Sequence, residues 1–313
     1  MRPIGAGPQP FTNVARQLLD RPLAILPHQL EAMLLALQSK LGIADIKNID
    51  ATALEAKAML ERGALGGDAR REWDSGKSFH SDGSIAVIPV TGTLVHKFGW
   101  LDPMCGMTGY DGLTRKVRDA VRDPEVDGIW FDIDSPGGAV SGLEQFVLEL
   151  AEFADAGGKP IYAWVNEQAC SAAYAIASVC HRVYGPETAM VGSIGCVMAH
   201  TDITGALDEA GVKVTIIRSG ERKMRGSSVE ALDEITHAKF QASCDAVRDR
   251  FAQIVAMGRG ITVADAMKTE ADWFEGQEAV GLGLMDAVAS ERDAWARLEE
   301  EIDRNKRERR TAR

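Results

Sequence analysis

Short apolar segments alternate with helix-forming segments between residues 85 and 217, and this alternation limits the possible fold more than any other feature. Strands are predicted at residues 85–90, 128–133, 160–165, 183–184, 189–191 and 212–217. Helices are predicted near residues 143–150, 171–179, 204–210 and 229–257. Strands that alternate with helices along a chain indicate an α/β domain with a mostly parallel sheet.

The rest of the chain differs in composition from this α/β domain, which we assign to residues 84–290. Leucines at helical spacing predict a helical segment within residues 1–65. Residues 66–83 are polar and rich in glycine and serine, which is typical of a linker. Residues 291–313 are highly charged and are predicted to form a C-terminal helix or tail.

Composition and patterning disfavour several classes of protein. A net charge of −11 argues against nucleic-acid binding, which needs a basic surface. The five cysteines contain no C-x-x-C pair, so zinc-ligand spacing is lacking and no metal, nucleotide or other cofactor is expected. Because the sequence has no run of about 18 apolar residues and no apolar signal-peptide core, we expect a cytoplasmic protein without membrane contact.

Ser171 lies between the predicted strand at 160–165 and a run of small residues that predicts a helix. A serine hydroxyl becomes a nucleophile only when a base removes its proton. At this position the backbone amide of Ala172 could donate a hydrogen bond to a developing oxyanion. The alternative is that Ser171 only caps the helix, and this segment by itself favours the cap.

Two further features suit an acyl-transfer site. Gly137 and Gly138 follow another predicted strand, and glycine lets the backbone approach a substrate closely. Lys223 follows the predicted strand at 212–217, and a lysine in a dry pocket loses its proton more readily and can act as a base. Each feature also has a structural alternative, since Pro-Gly-Gly turns are common in loops and the charged neighbours of Lys223 indicate an exposed position.

Other residues offer competing sites. His200 lies 29 residues after Ser171 and could form an ordinary triad with it and an aspartate. Cys170 could be a nucleophile, but a shift of one residue turns a helical side chain by about 100°, so packing is favoured. Asp132 and Asp134 share one face of a predicted strand and could act as paired acids, although a solvated pair at the strand end is favoured.

Four segments stand in a specific order along the chain. They are Asp134-Ser135-Pro136-Gly137-Gly138, Ala169-Cys170-Ser171-Ala172-Ala173-Tyr174, Val191-Gly192-Ser193-Ile194-Gly195 and Ser219-Gly220-Glu221-Arg222-Lys223. Together they resemble the signal peptide peptidase A (protease IV) family of Ser-Lys peptidases, and within it the phage-encoded branch that matures capsids. The resemblance runs over residues 84–288. One departure is Gly226-Ser227-Ser228, where the phage branch usually has a Gly-Asn-Pro-like run.

The resemblance implies a role for each motif. Ser171 matches the nucleophile of the family, and Lys223 matches its general base. Ser193 matches a serine whose hydroxyl orients the lysine. The implied oxyanion hole consists of backbone groups at Gly137, Gly138 and Ala172.

The family also implies a fold, an assembly and a set of substrates. The fold is the spiral α/β fold shared with Clp protease and crotonase. Members assemble into rings or domes, so a homo-oligomer is expected, and pairing of Ser171 with Lys223 within one chain or between two chains stays open. The implied function is a serine endopeptidase that cleaves scaffold, portal or capsid proteins in the assembling prohead, within the host bacterial cytoplasm.

Two alternatives accompany this interpretation. The first is a soluble bacterial protease of the same family that degrades peptides or signal-peptide remnants. The second is a crotonase-like acyl-CoA enzyme, or a scaffold-binding module without protease activity. We also hypothesise that the N-terminal segment either recruits the protein into a prohead or is trimmed autocatalytically.

Overall fold

The computed structural model describes residues 23–25, 77–97, 106–156 and 158–311. Except for residues 23–25, the predicted helical segment 1–65 lies outside these ranges, as do residues 66–76 of the predicted linker. The division of the chain into four segments therefore stays a prediction.

The described residues form two sheets and a set of helices. The strands are β1 (Leu23–Ile25), β2 (His80–Asp82), β3 (Ile85–Thr91), β4 (Thr93–Val95), β5 (Met107–Gly109), β6 (Gly128–Ser135), β7 (Gly137–Ala139), β8 (Ile161–Cys170), β9 (Arg182–Gly185), β10 (Met190–Gly192), β11 (Trp273–Glu275) and β12 (Ala287–Val288). The helices are α1 (Tyr110–Arg122), α2 (Leu143–Asp155), α3 (Ala172–Ser178), α4 (Thr204–Glu209), α5 (Glu234–Arg259), α6 (Val263–Lys268), α7 (Gly276–Gly281) and α8 (Glu291–Thr311).

The larger sheet has the strand order β11-β10-β8-β6-β3-β2. The run β10-β8-β6-β3 is parallel, while β11 and β2 pair antiparallel at its two ends. β9 pairs in parallel with the first half of β8, and β12 with β9. The smaller sheet has the order β1-β7-β4-β5, in which only the β1–β7 pair is antiparallel. This architecture confirms the predicted α/β class with a mostly parallel sheet.

Helices cover both faces of the larger sheet, which explains why its central strands are apolar on both sides. Along β6, Ile129 and Phe131 join the main core with residues of α1, α2, α3 and α5. Trp130 points the other way and packs with Leu298 of α8 in a second core. The Trp130 and Trp295 rings meet edge to face with their centroids 5.1 Å apart.

The C-terminal helix is tied to the sheet by polar contacts as well. The Tyr162 hydroxyl donates to the Glu301 carboxylate at 2.6 Å, and Lys306 pairs with Asp127 at 2.7 Å. Residues 291–311 therefore form a docked helix, in agreement with the helical part of the prediction. Of the helices in the described ranges, none is both long and apolar enough to cross a membrane.

The predicted strand at 212–217 is wrong. These residues adopt no regular secondary structure, and Val212, Val214 and Ile217 are exposed, the last of them by 95%. They belong to a stretch from residue 198 to residue 233 that is mostly exposed, which we call the 198–233 segment. The apolar pattern is present in the sequence, but among the described residues no neighbouring strand pairs with it.

Candidate active site

Three neighbouring parallel strands end at the same edge of the larger sheet. β6 ends at Ser135, β8 at Cys170 and β10 at Gly192. The register places Gly192 directly beside Cys170. The residues that follow the strands are thereby brought together, and Ser171 and Ser193 stand next to each other.

Ser171 makes the turn from β8 into α3 in an unusual conformation. Its φ is +55° and its ψ is −122°, which is rare for a residue other than glycine. The turn is held on both sides, because the Ser171 amide donates to the Gly192 carbonyl at 2.8 Å and the Ser171 carbonyl accepts from the Ala175 amide at 3.0 Å. Such strain persists only where the surroundings impose it, and it is often found at active sites.

The Ser171 side chain does not cap the helix, so the helix-cap alternative is wrong. Its hydroxyl makes no cap hydrogen bond. The residue is 1% exposed, and its Oγ has no hydrogen-bond partner among the described residues. An unsatisfied buried hydroxyl costs about 1–3 kcal/mol, so its retention needs a reason other than stability.

The Gly-Gly turn approaches Ser171 closely. Gly137 has φ +103°, and a Cβ placed on it would lie 2.9 Å from the Ser171 Cβ and 3.0 Å from the Ala172 amide nitrogen. The Gly137 amide donates to the Ser135 hydroxyl at 3.2 Å, so it is already engaged. Gly137 thus provides space, while Gly138 and Ala172 carry the amides that suit an oxyanion hole.

Ser193 follows β10 in the same way that Ser171 follows β8. It too has a positive φ, +54°, and is 7% exposed. Its amide donates to the Asp272 carbonyl at 2.7 Å, which fixes the turn. The strand register brings Ser193 to the same sheet edge as Ser171, and its predicted role of orienting the lysine stays a prediction.

Within the described residues, no side-chain hydrogen bond or ion pair joins Lys223 to this cluster. Lys223 lies in the 198–233 segment and is exposed. Its backbone amide donates to the Gly220 carbonyl at 2.9 Å, which closes a local turn. The dry pocket that the sequence-based argument required for Lys223 is therefore not formed by a single copy of the described chain.

The competing nucleophile and base are accounted for by other contacts. The His200 Nε2 lies 3.4 Å from the Ser227 carbonyl oxygen. It does not reach Ser171, whose Oγ lacks any partner in the described ranges. Burial raises the pKa of the Cys170 thiol to about 12, so the thiol stays protonated, and its Sγ lies 3.7 Å from the Met190 carbonyl.

The two aspartates of β6 form no acid pair. Asp132 accepts from the Asn166 side chain at 3.2 Å, and Asp134 accepts from the Gln168 side chain at 3.0 Å. Burial is the main cause that raises the pKa of each carboxyl, and the amide hydrogen bonds partly oppose it. Both side chains are half-buried and bound to β8, so the two carboxylates are partly solvated near the end of the strand. Within the described ranges, no group of three or more His, Cys, Asp or Glu residues could hold a metal ion.

Strand β1 was not predicted as a part of this site. Residues Leu23–Ile25 pair antiparallel with β7, and Leu23 exchanges two 2.8 Å hydrogen bonds with Val197. The three residues are buried. The available signal was an apolar run that ends before Pro27, but nothing local showed that it lies against the Gly-Gly turn.

Comparisons with known proteins point to one family. The model of peptidase family S49 matches residues 154–305. Capsid assembly protease C of Escherichia phage lambda is 36% identical over 94% of this chain and 66% of its own length. Head-tail preconnector protein GP5 of Enterobacteria phage P21 is 41% identical over 71% of this chain and 44% of its own length. Putative protease slr0021 of Synechocystis is 30% identical over 68% of this chain and 73% of its own length.

The chain thus spans about two thirds of the length of the lambda protein and less than half of the P21 protein. Among solved structures, a point mutant of ClpP1 from Listeria monocytogenes matches 66% of this chain and 93% of its own length. Its TM-score is 0.41 and its sequence identity is 12%.

Proposed function

The chain belongs to peptidase family S49, and from that premise we propose that it is a serine endopeptidase with Ser171 as its nucleophile. The observation that carries this proposal is the Ser171 hydroxyl, which is buried, unpaired among the described residues and held at a strained turn. The amides of Gly138 and Ala172 would bind the oxyanion. A hydroxyl of this kind, beside two amides, is the arrangement that acyl transfer needs.

We propose Lys223 as the general base. A neutral Lys223 amine would take the Ser171 proton while Oγ attacks a peptide carbonyl, and the lysinium would then protonate the leaving amine. Water would then hydrolyse the acyl-enzyme, with Lys223 taking a proton from the water and returning it to the Ser171 Oγ. Ser193, next to Ser171 at the sheet edge, would orient the lysine.

Because Lys223 is exposed in one chain, we propose that a second copy completes the site. The 198–233 segment exposes Val212, Val214, Ile217 and Met224. Burial of these apolar side chains against a neighbouring copy would be favourable, and it would also remove Lys223 from water. The homo-oligomer predicted from sequence would therefore place Ser171 of one copy with Lys223 of another.

This assembly can be tested at Ile217. In an isolated chain, Ile217→Asp should leave stability almost unchanged, because the side chain is 95% exposed. At an interface the same change should dissociate the oligomer in analytical ultracentrifugation and abolish activity. Leu148→Asp, at an exposed apolar side chain outside the segment, is the control. An Ile217→Asp protein that remains oligomeric and active would contradict the proposed interface.

The substrates that we propose are scaffold, portal or capsid proteins, cleaved in an assembling phage prohead in the bacterial cytoplasm. Support comes from the lambda relative, which is named a capsid assembly protease, and from the P21 relative, which is named a head-tail preconnector. The second candidate is a bacterial peptide-degrading protease, which the match to a putative protease of Synechocystis favours. Portal and capsid genes beside the gene for this chain would favour the first.

The chemistry is tested by comparing three single variants. We expect Ser171→Ala to abolish cleavage of casein and labelling by a fluorophosphonate. Lys223→Ala should lower kcat/KM by about 10²–10⁴-fold, as expected for loss of a general base. Lys213→Ala, at another exposed lysine of the same segment, is the control. Full activity of Lys223→Ala with loss of activity in His200→Ala would replace the dyad by a triad.

A further inference from the structure

The segment Leu23–Ile25 lies across the candidate active site in the manner of a bound peptide. On one side it pairs antiparallel with β7, with Ala24 opposite Gly138. On the other side the Leu23 amide and carbonyl each hydrogen bond to Val197 at 2.8 Å. An extended peptide held between two backbone edges in this way is a common mode of peptide recognition.

The alternation of hydrogen bonds along a strand fixes where the Ala24 carbonyl points. Because the amide and carbonyl of Leu23 both face Val197, those of Ala24 face the opposite side, toward β7. The residue opposite Ala24 is Gly138. The Ala24 carbonyl is therefore directed at the Gly138 amide, one of the two proposed oxyanion donors.

Distances to the Gly-Gly turn support the same placement. The Ala24 oxygen lies 2.2 Å from the position that a Cβ on Gly137 would occupy, and the Ser171 Cβ lies 2.9 Å from that position. These two atoms are thus at most about 5 Å apart. The Ala172 amide nitrogen lies 3.0 Å from the same position. The carbonyl of Ala24 is close to the nucleophile and to both proposed donors at once.

We propose that residues 23–25 are an intramolecular substrate and that Ser171 cleaves the bond between Ala24 and Ile25. This inference rests on the proposed function. Ser171 Oγ bonds to the Ala24 carbonyl carbon, and the bond to the Ile25 nitrogen breaks. The Ser171 proton passes through Lys223 to that nitrogen, which becomes a new terminal amine. Water then hydrolyses the ester and leaves a carboxylate on Ala24.

The same geometry indicates which peptides would bind in the groove between β7 and Val197. Leu23, Ala24 and Ile25 are 1%, 1% and 4% exposed, so the groove closes around all three residues. The residue that contributes the cleaved carbonyl is alanine, and a charged side chain at this closed position would be buried without a partner. We therefore expect other substrates to bind as extended apolar strands with a small residue at that position, after residues 23–25, which we call the tethered strand, have left the groove.

The test is the intact mass of the purified full-length chain over time. We expect the wild type to yield two fragments, residues 1–24 and 25–313, while Ser171→Ala stays intact. Ala24→Asp should slow this cleavage by at least about tenfold, because it buries an unpaired carboxylate. Ala24→Gly, which keeps the side chain small, is the matched control and should still be cut.

A mixing experiment tests whether the cleavage is intramolecular. Tagged Ser171→Ala chains are mixed with untagged wild type and allowed to assemble. Each tagged chain holds its residues 23–25 over its own inactive position 171, so it should remain intact while the wild type is cut. Cleavage of the tagged chain at Ala24 would contradict the intramolecular arrangement.

Fluorophosphonate labelling and casein cleavage separate this inference from the proposed function. If the wild type is active on casein but its chain stays whole, or is cut at another bond, the intramolecular substrate is refuted and the peptidase stands. If neither casein cleavage nor labelling of Ser171 occurs in the assembled wild type, the peptidase proposal fails and this inference fails with it.

Discussion

Replacing Gly137 by alanine would place a methyl group at the centre of the proposed site. The added Cβ would lie 2.2 Å from the Ala24 carbonyl oxygen, 2.9 Å from the Ser171 Cβ and 3.0 Å from the Ala172 nitrogen. The first two distances are below any normal contact, and the atoms involved belong to the backbone or to the proposed nucleophile. Since no flexible side chain can move aside, the site itself must shift.

Two separable costs follow from this geometry. The backbone at Gly137 has φ +103°, and a residue with a Cβ in a left-handed conformation costs roughly 1–2 kcal/mol of folding free energy. The second cost falls on catalysis, because the methyl group displaces the Ala172 amide from the oxyanion. Loss of one oxyanion donor typically costs about 3 kcal/mol of transition-state stabilisation, which is about a hundredfold or more in rate.

Gly83→Ala is the matched control for the backbone cost. Gly83 also has a positive φ, +58°, but nothing lies within 4 Å of its added Cβ. We expect both variants to lower Tm, while only Gly137→Ala lowers kcat/KM on casein, by about a hundredfold or more. If folded Gly137→Ala retained kcat/KM within about threefold of the wild type, Gly137 and Ala172 would not border the reacting carbonyl.

Three further predictions concern stability and reactivity. Asp286→Ala should lower the free energy of unfolding in urea by about 3–5 kcal/mol, because it leaves the buried Arg259 side chain without its 2.8 Å partner. Glu144→Ala, at an exposed ion pair, is the control and should cost less than about 1 kcal/mol. Equal losses in the two variants would refute this prediction. Burial raises the folded-state pKa of Asp132, so the contribution of Asp132 to folding stability should fall as pH rises from its ordinary pKa through the raised value. Asp132→Asn should remove part of that fall in urea titrations at pH 4 and pH 7, and an unchanged slope would contradict the assignment. Native Cys170 should resist alkylation by iodoacetamide, because its thiol is buried and protonated. Cys170→Ala should retain casein cleavage, because such a thiol takes no part in the reaction. Rapid alkylation of Cys170 in the folded protein would contradict this prediction.

Part of the sheet edge that carries Ser171 could be predicted, because strands follow from local pattern and topology. Residues that follow neighbouring parallel strands lie at one sheet edge, and the predicted strands at 128–133, 160–165 and 189–191 correspond to β6, β8 and β10. The continuation of β8 to Cys170, which brings Ser171 to that edge, was not predicted. The unpaired hydroxyl of Ser171 and the engagement of the Gly137 amide by Ser135 could not be predicted. Both depend on the orientation of side chains and backbone groups, and the same sequence pattern is compatible with several turn geometries.

The proposed base side of the site was harder to predict, for a physical reason. Apolar alternation at 212–217 indicates a surface that will be buried, but it does not say whether the burying surface lies in the same chain. In one copy these residues are exposed and Lys223 is exposed with them. Strand β1 could not be predicted for a related reason. Its three apolar residues are distant in sequence from the rest of the core, and their sequence does not indicate the groove in which they lie.

The two halves of the proposed site differ in how they are built, and the difference bears on control of the proposed peptidase activity. The nucleophile half is rigid, because Ser171 is bound through its backbone to Gly192 and Ala175 within the core. The base half lies on an exposed segment, and residues 23–25 occupy the groove beside Ser171. A solitary chain would then be inactive for two independent reasons, a missing base and an occupied groove. Assembly would supply the base, its first turnover would cut the tethered strand, and only then would the groove be free for another protein. A protease ordered in this way would not act on other proteins before it is assembled.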